Sequence, residues 1–89
     1  MAESKTWEVY IIRARNGHLY TGITTNLDRR FAEHRSGGKG AAFFRFSEPE
    51  EIVFRETHPN RSEATKREMG IKKMSRPQKQ RLIADRRGR

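Results

Sequence analysis

Few side chains in this 89-residue chain could do chemistry, and they are far apart in sequence. There is no cysteine, which removes thiol nucleophiles, disulfides and Cys-based zinc sites. The three histidines, His18, His34 and His58, share no metal-ligand spacing such as H-E-x-x-H, so structural zinc is not expected. What remains is Tyr10 and Tyr20 on strand-like segments, Arg30 and His34 one helical turn apart, and Glu68. A strand tyrosine is ordinarily a half-buried aromatic, and polar residues at i and i+4 are ordinarily a solvated helix face. Glu68 is less easily dismissed. With Ala64 and Ile71 it occupies i, i+4 and i+7 of one helical stripe that should face a sheet, where an unpaired carboxylate is costly. Its partner would be Lys72 at i+4, Arg30, or a metal ion.

Charge narrows the partners. Twenty Lys and Arg against eleven Asp and Glu leave a formal +9, which favours polyanions, nucleic acid ahead of an acidic membrane surface and of small substrates. Residues 61–89 hold eleven basic and three acidic side chains, so +8 of the +9 lies in the last third. The longest apolar stretch, Val9 to Ile12, falls far short of the ~20 residues a membrane span needs, and Met1 to Lys5 opens no signal peptide. The chain reads as soluble and cytoplasmic, one domain over 1–89 with an ordered core at about 6–85 and a frayed basic tail at 86–89, and as a monomer. Hydrophobic content of 33% with 35% charged residues is near the edge of foldability, and the changing periodicity along the chain argues for a thin-cored domain over a disordered tail.

The elements that would position these residues follow from pattern. Trp7 to Arg13, Arg15-Asn16-Gly17-His18, then Leu19 to Ile23 is a strand, turn, strand signature. Asn26 caps a helix over 27–36 that Gly37-Gly38 ends. Lys39 to Glu50, with Phe43, Phe44 and Phe46, reads as a loop pinned to the core, with base stacking as a lesser alternative for one ring. Glu51 to Glu56 is a third strand. Asn60 with Glu63, and Ser75 with Gln78, are cap patterns opening helices over 61–74 and 76–85. The fold class is α+β: a three-stranded antiparallel sheet flanked by helices, in the order ββαβαα.

Val9-Tyr10, Tyr20-Thr21-Gly22, Asn26-Leu27-x-x-Arg30-x-x-x-His34 and Glu68, in that order, resemble the GIY-YIG nuclease superfamily. The run Tyr20 to Asn26 and Gly38-Lys39-Gly40-Ala41 resemble its small stand-alone bacterial members. The likeness covers about residues 7–84 and departs at two positions: the family's first glycine is Glu8, and the middle of the second triplet is Thr21.

The resemblance implies catalytic roles for Tyr10, Tyr20, Arg30, His34 and Glu68. Phosphodiester hydrolysis needs activated water, neutralisation of the transition-state charge and help for the departing alkoxide. One tyrosine would be general base and the other would position water or phosphate; which does which stays open. A phenol of pKa ~10 acts as base near neutrality only beside a cation. Arg30 would fork onto the scissile phosphate, His34 would orient a tyrosine or carry a proton, and Glu68 would hold Mg²⁺ or Mn²⁺. Gly22 would let the phosphate approach the sheet, and Lys39, Lys72, Lys73, Arg76 and Lys79 would hold backbone phosphates. The motif also demands a turn geometry. A two-residue Asn16-Gly17 loop would put Tyr10 and Tyr20 on opposite faces, whereas a three-residue Arg15-Asn16-Gly17 loop with Gly17 at positive φ pairs Tyr10 with Gly22 and puts both rings on one face. The implied function is a metal-dependent endonuclease of low sequence selectivity, acting on DNA rather than RNA, in repair or structure-selective cleavage. A non-catalytic basic nucleic-acid-binding module is the alternative, and a protein-interaction domain a weaker third.

Overall fold

The computed structural model describes residues 6–36 and 47–87, the last by its backbone alone. Two strands, β1 (Trp7–Ala14) and β2 (Leu19–Thr24), are followed by α1 (Leu27–Ser36), β3 (Pro49–His58), α2 (Arg61–Lys72) and α3 (Arg76–Arg87). The sheet is antiparallel with order β2-β1-β3, so the expected ββαβαα architecture is the observed one. The expected phenylalanine-rich loop lies mostly outside the described residues.

The hairpin turns as the motif demands. Ala14 and His18 close it, their backbones bonded at 2.8 Å, and Gly17 takes φ 92°, a conformation in which a Cβ would be strained. The side chain of Asn16 accepts from the His18 N–H at 3.1 Å. The register then pairs Tyr10 with Gly22 and Ile12 with Tyr20, and period-two alternation puts both tyrosines on one face.

Each face has its own core. Tyr10, Ile12 and Ala14 pack with Leu27 and Phe31 of α1, beside Tyr20 and Ile52. Val9, Ile11, Val53 and Phe54 pack with Ala64 and Ile71 of α2 and Ile83 of α3. β3 is longer than expected because two register shifts let it follow β1 further. The first makes Val53 an extra residue, so that Val53 and Phe54 both enter the second core; the second brings Glu50 and Glu51 together on Arg13, at 3.2 and 2.9 Å.

The helix starts are capped as read. Asn26 and Asn60 accept from the N–H groups of Arg29 (3.1 Å) and Glu63 (2.9 Å). Ser75 and Gln78 form a complete reciprocal box, at 3.3 and 2.8 Å. α2 stops at Lys72, two residues early, because the Met74 N–H turns back to the Ile71 carbonyl and Ser75 begins the next cap. α3 runs past the expected end. Arg86 is tied down rather than frayed: it donates to the Arg55 carbonyl at 2.6 Å and lies over the Phe54 ring. No helix among the described residues is long and apolar enough to cross a membrane.

Candidate active site

The hairpin and α1 bring together four of the expected residues. Tyr10 is 1% exposed and Tyr20 stands beside it, ring centroids 6.2 Å apart. His34, on the last turn of α1 and 2% exposed, lies edge-on to Tyr20 at 5.5 Å, and its Nε2 is 3.4 Å from the Tyr10 hydroxyl. Arg30, one turn earlier on the same helix face, hydrogen-bonds to Tyr10.

A residue absent from the sequence reading completes this group. Glu33 accepts from the Arg30 guanidinium at 3.1 Å and also pairs with Arg29 at 3.8 Å. The i,i+3 spacing to Arg30 was the available signal; the choice among Arg29, Arg30 and solvent was not.

Glu68 arrives from the other layer. α2 packs across β1 and the edge strand β2, with Ala64 and Ile71 fully buried on either side of Glu68, so the stripe faces the sheet as expected. The Glu68 carboxylate pairs with Lys72 at 3.3 Å, which supplies the partner its burial calls for. Its charge is also felt at the Tyr10 hydroxyl.

Electrostatics follow from this crowding. Burial pushes the Tyr10 phenol up to about 12; Tyr20 and Glu68 add to the rise, while the Arg30 hydrogen bond and charge oppose it. Burial, together with the Arg30 cation, holds His34 below its ordinary value against the pull of Glu33. Burial disfavours the Arg30 charge too, but the hydrogen bonds with Glu33 and Tyr10 outweigh it and its pKa is raised. At neutral pH the site therefore holds a neutral phenol, a neutral imidazole and a firmly charged guanidinium.

Gly22 has a packing reason beside the expected one. A Cβ there would lie 2.6 Å from the Tyr10 hydroxyl oxygen and 2.8 Å from Cζ, so the space over this glycine is filled by the ring across from it. The glycine seats the tyrosine. Glu8, at the family's first glycine, is not in the cluster either. Arg55 on β3 binds its carboxylate with two donors, at 2.9 and 3.0 Å.

The expected phosphate-binding cations are dispersed. Lys39 lies outside the described residues. Lys72 is engaged with Glu68, and Lys73 is exposed at the end of α2. Arg76 donates to the Gly17 carbonyl at 2.8 Å and borders a groove with Lys79, on the face of the sheet opposite the tyrosines. These two are not part of the tyrosine cluster.

An α+β hairpin-and-helix domain gathers two strand tyrosines with a helical arginine and histidine on one face, and the domain family that it matches is of a nuclease-type class acting on nucleic acid. The GIY-YIG catalytic domain matches residues 6–81, and the chain belongs to that family. It is 51% identical over 77 residues to a UPF0213 protein of Desulfotalea psychrophila, spanning 86% of this chain and 70% of that one. It is 45% identical over 83 residues to a UPF0213 protein of Photorhabdus laumondii, spanning 93% and 78%. The solution NMR structure of the protein EF2693 from E. faecalis is 33% identical with a TM-score of 0.67, covering 100% of this chain and 94% of that one. That of the UPF0213 protein BH0048 from Bacillus halodurans is 37% identical with a TM-score of 0.58, covering 89% and 83%.

Proposed function

We propose that the protein is a divalent-metal-dependent endonuclease that hydrolyses DNA phosphodiester bonds with little sequence selectivity. The observation that carries this reading is the convergence of Tyr10, Tyr20, Arg30 and His34 on one face, with the Glu68 charge reaching the same hydroxyl.

Among the described residues no group of three or more His, Cys, Asp or Glu could hold a metal. Glu68 alone fits an ion of the Mg²⁺ or Mn²⁺ type, which is commonly held by one or two carboxylates, waters and substrate phosphate oxygens. Such an ion supplies Lewis-acid stabilisation of the departing oxygen when bound. The chain's own residues do the rest. Arg30, kept charged by Glu33, forks onto the non-bridging oxygens of the scissile phosphate. With the His34 proton on Nδ1, the Tyr10 phenol, protonated in the free protein, donates to Nε2 and so presents its oxygen to the attacking water. As that water loses its proton, His34 draws the phenolic proton and the phenol oxygen takes up the one from water. Tyr20, beside both, orders the water. Sequence selectivity is low because phosphate contacts position a strand without reading its bases.

One observation favours the rival of a non-catalytic binding module: the Glu68 carboxylate is already held by Lys72. Nicking of plasmid, single-stranded and branched DNA with Mg²⁺ or Mn²⁺ separates the two. Arg30→Ala and Glu68→Ala should each lower the rate by about 10²–10³-fold, the scale for losing one transition-state donor. Binding that ignores EDTA, with no cleavage of any substrate, would establish the module instead.

A further inference from the structure

Behind the sheet, where the β1–β2 hairpin end meets the start of α3, two hollows adjoin. One, of about 160 Å³, has a floor of Leu19, Val53 and Ile83 and a rim that includes Arg76 and Gln80. The other, of about 210 Å³, is bounded by His18, Leu19, Arg76 and Lys79. They share Leu19 and Arg76 and so form one groove.

Its chemistry is one-sided. Among the described residues no carboxylate lines either hollow, and neither Arg76 nor Lys79 pairs with one. Arg13, also on the rim, is matched by Glu50 and Glu51. Arg76 spends one donor on the Gly17 carbonyl, which fixes the guanidinium at the groove and leaves its other N–H groups available. Unmatched cations in a cleft concentrate positive potential there. Each hollow is smaller than the ~300–1,000 Å³ that takes a drug-sized ligand. An apolar floor beside a cationic rim at this size suits one flat base and its phosphate.

The groove lies across the sheet from the tyrosines, because Leu19 packs with Val9 and Ile11 while its neighbour Tyr20 joins Tyr10 and Ile12. A duplex has a persistence length of about 150 base pairs, so one seated at the tyrosines does not curl round so small a domain to reach the reverse face. An unpaired strand does. We propose that this groove binds a single-stranded nucleic-acid arm, with a backbone phosphate on Arg76 and Lys79 and a base against Leu19, Val53 and Ile83. The inference deepens the nuclease reading, on which it rests for its substrate class: a duplex carrying an unpaired arm.

The test is fluorescence anisotropy in EDTA, comparing a blunt duplex with the same duplex bearing a thymidine arm. The arm should tighten binding by about tenfold, from one phosphate on the cationic rim and one base face buried on the apolar floor. Lys79→Gln, which leaves the Arg76 bond to Gly17 in place, should remove much of that gain. The double substitution Arg76→Gln and Lys79→Gln should remove most of it and lower the salt slope for the armed duplex by about 0.7, one phosphate on a single strand, while blunt-duplex affinity stays unchanged. Equal loss on both substrates, or no gain from the arm in the wild type, overturns the groove. So does self-association of the wild type that Lys79→Gln abolishes, which would make the occupant a second copy. A cleavage assay on the same substrates keeps the two readings apart. Arm-dependent binding without cleavage sinks the nuclease reading and leaves the groove standing. Cleavage of blunt and armed duplexes at equal rates, by wild type and double variant alike, does the reverse.

Discussion

Gly22→Ala is the substitution on which the geometry speaks most sharply. The new methyl would be 2.6 Å from the Tyr10 hydroxyl oxygen and 2.8 Å from Cζ. Reaching even the 3.4 Å of ordinary contact requires the hydroxyl to retreat by roughly 0.8 Å, on a ring 1% exposed whose hydroxyl is already 3.4 Å from His34 Nε2. Overpacking of this kind costs about 1–3 kcal/mol, and displacement of a reacting group by about 1 Å costs about 10²-fold in rate. Urea unfolding of Gly22→Ala, of Tyr10→Leu and of the double variant forms a cycle. Leucine lacks the crowding atoms, so Gly22→Ala should be nearly neutral in the Tyr10→Leu background, a coupling of about 1–2 kcal/mol. Gly70→Ala is the control. No described residue lies within 4 Å of a Cβ there, and relief of backbone entropy within α2 should stabilise by about 0.5–1 kcal/mol. The reasoning fails if Gly22→Ala costs the same with and without the tyrosine ring, or costs nothing.

Thr21→Val should raise stability by about 1 kcal/mol in the same assay, because the Thr21 hydroxyl is buried with no hydrogen-bond partner among the described residues; a loss would reveal one. Asn60→Ala removes the acceptor for the Glu63 N–H and should cost about 1 kcal/mol, with fraying of the first turn of α2 visible by amide exchange. The His34 pKa is lowered by folding, so its contribution to stability is present above about pH 6.5 and is lost as pH falls through the lower folded value. The urea midpoint should therefore drop between neutral and mildly acidic pH, and drop less in His34→Gln; equal slopes would refute the assignment.

Most of the fold was legible because its signals are local. Asn26, Asn60 and Ser75 open the three helices through bonds within three residues, and the Asn16-Gly17 dipeptide marks the hairpin, whose three-residue loop was legible only from the motif's need for both tyrosines on one face. The ends of β3 were not legible. Pro49 and Glu50 read as loop, and they join the strand only because a second bulge against β1 absorbs them. The end of α3 was misread likewise, since the contacts that hold Arg86, to the Arg55 carbonyl and the Phe54 ring, are long-range.

For the site, the family resemblance carried by the sequence named Tyr10, Tyr20, Arg30, His34 and Glu68 as a set, and spacing added that a three-residue turn puts both tyrosines on one face, that Arg30 and His34 share a helix face and that Glu68 lies in an apolar stripe. Only the tertiary structure decided what each of them meets. Glu33 takes Arg30, Lys72 takes Glu68, Arg55 takes Glu8, and the Tyr10 ring fills the space that Gly22 leaves. Periodicity assigns a side chain to a face, but its partners and its pKa depend on distances of a few ångströms across packed layers, and those are set by how strands and helices from distant parts of the chain come to rest on one another.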